Sequence, residues 1–86
     1  MSNTKIKVTN VNVYKVKHNT LKANADITLN DEFVVKGLKI IKGRDGLFVS
    51  MPSYNYNDEY KDLCFPLSKA LRTHITETVL EEYENN

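Results

Sequence analysis

The chain has 86 residues, is 41% apolar and 27% charged, and carries a net charge of +1. That length makes one small domain with a thin core, expected to span residues 1–86 with 1–5 and 84–86 frayed. No apolar run approaches the roughly 20 residues of a membrane helix, and Met1 to Lys7 has no apolar signal region, so neither membrane insertion nor export is expected.

One cysteine, Cys64, excludes an internal disulfide and fits a reducing cytoplasm. His18, Cys64 and His74 have no metal-site spacing, so neither metal nor cofactor is expected. The small net charge hides a split. Residues 1–44 carry nine Lys/Arg against three Asp/Glu, a balance of +6; residues 45–86 carry three against eight, a balance of −5. Such asymmetry fits a basic surface for an anionic partner, although lysines also guard exposed strands against aggregation.

Ile6 to Val16 is rich in β-branched residues and predicts a first strand. Its apolar parity switches, from Ile6 and Val8 to Val11 and Val13 and back to Tyr14 and Val16. Either both faces are buried or a bulge re-phases the strand. His18-Asn19-Thr20 reads as a turn. Leu21, Ala23, Ala25, Ile27 and Leu29 then alternate without a miss, which predicts a half-buried antiparallel strand. The small Ala23 and Ala25 mark a face that something packs closely against.

Asn30-Asp31 is the next turn. Glu32 to Ile41 is a third strand with apolar residues on both parities. A chain this small has difficulty covering both faces, so one face is expected to meet a second copy through Val34, Leu38 and Ile40. Gly37 inside this strand predicts a bulge or a close backbone approach. Lys42 to Gly46 is a hairpin turn, with Asp45-Gly46 its strongest signal.

Leu47 to Met51 returns as a fourth strand. Pro52 cannot donate to a sheet ladder and stops it. Tyr54 to Glu59 reads as a polar loop, and Tyr60 to Phe65 as a short fifth strand before Pro66. Ser68 caps a helix whose Leu71, Ile75, Val79 and Tyr83 recur every four residues, with Leu80 beside them. The sum is an α+β domain: an antiparallel sheet of four to five strands followed by a C-terminal helix.

Catalytic chemistry is not expected. His74 reads as a surface or rim residue beside the apolar stripe, His18 as a turn residue and Cys64 as a small core residue. Asp58, Glu59 and Asp62 lack the apolar pocket that a general acid or base needs. Three glycines form no phosphate loop. Nucleic-acid binding has more support. Lys36, Lys39, Lys42 and Arg44 lie along and beyond the third strand and can neutralise phosphates. Tyr54, Tyr56 and Tyr60 follow Pro52 and can stack on unpaired bases.

Val8-Thr9, Ala25 to Leu29, Phe33-Val34-Val35, Gly46 to Ser53, Lys61-Asp62, Pro66 and Val79 to Tyr83 stand in order at a spacing that resembles the SpoVG family of septation regulators. The resemblance covers about residues 6–83. It implies a homodimer of β-rich subunits with a C-terminal helix, regulating septation, sporulation and gene expression, with DNA or RNA as ligand. The basic pair that follows Met-Pro-Ser in that family is replaced here by Tyr54 and Asn55. Lys61 keeps the basic residue before the aspartate, and Phe65 stands where a histidine usually precedes the proline. The resemblance therefore implies nucleic-acid contact by Tyr54, Tyr56 and Lys61, with charge from Lys39, Lys42 and Arg44. The alternative is a protein-interaction module that recruits a division-related partner through an edge strand or the acidic helix.

Overall fold

Apolar alternation and turn chemistry build the first sheet. In the computed structural model, which describes residues 5–85, β1 (Val8–Lys15), β2 (Leu21–Leu29), β3 (Phe33–Gly43) and β4 (Gly46–Ser50) form one antiparallel sheet in that order. Of the residues where fraying was expected, 1–5 and 84–86, residues 1–4 and 86 lie outside the described residues, while 84 and 85 are the end of the helix. β5 (Ser53–Tyr56) and β6 (Glu59–Asp62) pair as a separate hairpin, and α1 (Lys69–Asn85) closes the chain. The fold is α+β.

The unbroken alternation of β2 has a direct cause. Ala23, Ala25 and Ile27 are buried on one face, while Asn24, Asp26 and Thr28 point the other way. The helix supplies Ile75 and Val79 to the same core, beside Leu38, Ile40, Val49 and Met51. The apolar stripe of α1 therefore faces the sheet. Ser68 begins the helix as expected: its Oγ accepts the Leu71 N–H at 3.1 Å.

Both parity problems resolve as bulges. The β1–β2 register shifts between Val8 and Asn10, so Val8 first, and Val11 and Val13 after it, pack against the core. The β2–β3 register shifts between Ala25 and Ile27, where Lys36 and Gly37 oppose Asp26. Gly37 has φ +92°, and its N–H donates to Asp26 Oδ1 at 3.4 Å. This bulge re-phases β3, so Val35 precedes it and Leu38 and Ile40 follow it on the same covered face.

That re-phasing corrects the expected pairing surface. Leu38 and Ile40 are both 0% exposed beneath their own chain, so neither can meet a second copy. Of the three residues expected there, only Val34 is exposed, at 54%.

A second correction concerns residues 54–65. The expected polar loop is a strand, a turn and the start of a second strand. Asn57 and Asp58 take φ +52° and +64°, the left-handed pair of a type I′ hairpin. The expected strand to Phe65 ends at Asp62. Its only partner is β5, and the Leu63 N–H donates to the Pro52 carbonyl at 2.7 Å as the last bond beyond the ladder. Pro52 has no N–H to continue the ladder. Among the described residues, 64–67 pair with no strand, and Cys64 is exposed rather than a core residue.

Candidate functional site

The β5–β6 hairpin brings together three of the residues singled out in the sequence. Tyr54 opposes Lys61 and Tyr56 opposes Glu59, so these four side chains share one face; Asn55 opposite Tyr60 and Ser53 opposite Asp62 share the other. All three tyrosines are exposed: Tyr54 by 43%, Tyr56 by 57% and Tyr60 by 75%. Tyr54 and Tyr56 stand two residues apart on one strand, about 6.6–6.8 Å at ordinary strand rise. Stacking requires open ring faces of this kind.

The electrostatics of the hairpin are mixed. Lys61 Nζ lies 3.7 Å from Glu59 Oε2, and both side chains are largely exposed. Such pairs contribute about 0–1 kcal/mol, so the ammonium remains exchangeable with another anion. Asp58, Glu59 and Asp62 outnumber the one cation of the hairpin. Its aromatic face suits neutral rings better than it suits a row of phosphates.

Lys39, Lys42 and Arg44 lie elsewhere and do not form one face. Lys39 sits between Asn24 and Ser50 on the open side of the sheet. Lys42 opposes Leu47 on the helix side, and Arg44 lies in the β3–β4 turn. A Cβ at Gly37 would lie 3.8 Å from Pro52, which marks where the hairpin leaves the sheet. Lys42 is five residues further along β3, about 17 Å away at ordinary strand rise. The hairpin residues and the three strand and turn cations thus lie on separate surfaces.

Two histidines have structural tasks that spacing did not reveal. His74 Nε2 accepts the Val8 N–H at 3.0 Å, fastening the start of β1 to the helix. His18 Nδ1 accepts the N–H groups of Thr20 and Leu21, both at 3.2 Å, and closes the β1–β2 turn. The hairpin had a visible signal in Asn57-Asp58 flanked by tyrosines, although the usual type I′ dipeptide ends in glycine. An apolar hollow of about 190 Å³ lies at the start of the helix, lined by Phe33, Val35, Cys64, Phe65, Leu71 and Ile75 among others.

Known proteins share this pattern over most of its length. A family model described as SpoVG matches residues 6–85. A protein of Agathobacter rectalis is 42% identical over 81 residues, 92% of this chain and 93% of its own. One of Fusobacterium nucleatum is 45% identical over 82 residues, 91% and 88% of the two chains. One of Archaeoglobus fulgidus is 43% identical over 79 residues, 90% and 93%. Each of the three bears the name "Putative septation protein SpoVG".

Proposed function

The chain belongs to the SpoVG family, and from that premise we propose that it is a non-enzymatic regulator of septation and sporulation that acts in the cytoplasm by binding DNA or RNA. The septation role follows the name its relatives bear. One observation supports the nucleic-acid step: the pairing of β5 with β6 sets Tyr54, Tyr56 and Lys61 on one exposed face. Aromatic rings stack on unpaired bases and an ammonium answers a phosphate, without reading sequence. On the open face of the third strand, Val34 at 54% exposure supports a homodimer.

Titration against single-stranded DNA and RNA at two salt concentrations tests the proposal. Binding should weaken steeply with salt, and Tyr54→Ala with Tyr56→Ala should weaken it further at either concentration. No binding to either polymer at low salt ends this reading.

A second reading has its own observation. Leu63, Phe65 and Leu67 are 65%, 57% and 94% exposed in the segment after the hairpin, beside three exposed carboxylates. An apolar strip of this kind fits a division-related protein partner. A pull-down that survives nuclease and is lost when Leu63 and Leu67 become Ser would favour it.

A further inference from the structure

The β1–β2 and β3–β4 turns meet at one end of the sheet. The Lys42 N–H donates to the Thr20 carbonyl at 2.8 Å, and Leu21 pairs with Ile41. This end of the sheet carries Lys17 and Lys22, before the first turn and at the start of β2, with Lys42 and Arg44, at the end of β3 and in the turn after it, the two pairs 20 or more positions apart in the chain. Lys17, Lys42 and Arg44 are exposed and form no ion pair among the described residues. Lys22 is half-buried, and its Nζ donates to the His18 carbonyl at 3.4 Å, which keeps the ammonium at the turn.

Acids at this end are few. Asp45 lies in the β3–β4 turn. Glu84 follows Tyr83, whose ring lies 5.2 Å from Lys15 Nζ, on the β1 side. The hairpin, with its three carboxylates, begins about 17 Å away along β3 by ordinary strand rise. Cations that share one end of the sheet with few acids focus a positive field outward. Guarding an edge strand against aggregation would place the lysines along β1 or β4; Lys22 and Lys42 instead stand on the two inner strands, at the end where a backbone bond joins them.

We propose that this basic end, built from Lys17, Lys22, Lys42 and Arg44, is a binding site for a phosphate backbone. It rests on the nucleic-acid reading above only for the source of that backbone. The division of labour follows from charge: the turn end neutralises phosphates, and the acid-bearing hairpin meets bases. Each cation that displaces a condensed counterion steepens the salt dependence by about 0.7–0.9 in the logarithmic slope.

The test uses the full chain and two probes: inorganic polyphosphate, which has no bases, and a single-stranded DNA oligonucleotide. The variant Lys17→Gln/Lys42→Gln/Arg44→Gln keeps polar side chains at exposed positions. A control variant, Lys5→Gln/Lys7→Gln/Lys36→Gln, removes equal charge elsewhere. The turn variant should weaken polyphosphate binding at least tenfold at low salt and lower the magnitude of the salt slope by about 2–3. The control should do neither, and circular dichroism should be unchanged in both. If polyphosphate binds in this way and the oligonucleotide does not, the basic end stands and the nucleic-acid reading falls. If the wild-type chain ignores polyphosphate at low salt, or if the two variants weaken it equally, the proposal is overturned.

Discussion

The Val8 N–H donates to His74 Nε2 at 3.0 Å, across 66 residues of chain. This bond ties the first residue of an edge strand to the middle of the helix. It requires a neutral imidazole with its proton on Nδ1, because an imidazolium has no lone pair to accept. β1 pairs only with β2, and its start is also tied to the β2–β3 turn, where Lys7 and Asn30 exchange two bonds of 2.8 Å and the Asp31 N–H donates to Thr9 Oγ1 at 2.9 Å.

His74→Ala should therefore destabilise the domain by about 1 kcal/mol, and His74→Gln, which keeps an acceptor, by less. Chemical denaturation measures both. Hydrogen exchange should show the Val8 amide losing protection in His74→Ala while core amides of β2 fall only by the global change. Equal protection of Val8 in all three proteins would mean that the bond contributes nothing.

Gly37→Ala should cost about 1–2 kcal/mol. The residue sits at φ +92°, where a Cβ is strained whatever the space around it. Space itself is adequate, since the nearest atom would be Pro52 Cβ at 3.8 Å. A thermal scan checks this, and an unchanged midpoint would show that the bulge tolerates a side chain.

Ser68→Ala should cost about 1 kcal/mol by leaving the Leu71 N–H without its acceptor. Ser68→Asp should recover the loss, because its carboxylate can cap the same N–H and stands at the positive end of the helix dipole. Urea midpoints for the two variants separate capping from any packing role.

Leu38→Ala should lose about 2–5 kcal/mol, since the side chain is 0% exposed within its own subunit. Val34→Ala should change stability by less than about 0.5 kcal/mol, because the residue is 54% exposed. If copies pair through this strand, light scattering should show Val34→Asp reducing self-association while the fold persists. A wild-type monomer at micromolar concentration would end the pairing proposal.

Local chemistry was enough for much of this architecture. The alternation of Leu21 to Leu29 identified β2 to the residue, because a sheet with one covered face imposes period two. Ser68 and the four-residue recurrence of Leu71, Ile75 and Val79 placed the helix. The fold of the strands and the resemblance to SpoVG proteins were legible for the same reason: both are written in neighbouring residues. The covered side of β3 was not: Gly37 signalled a bulge or a close approach, but only its opposition to Asp26 shows that a bulge there inverts the parity of every later residue. The two candidate surfaces differ in the same way. Tyr54 meets Lys61 across a two-residue turn, a local pairing, whereas Lys42 meets Thr20 through register, which arises when strands distant in the chain exchange backbone hydrogen bonds.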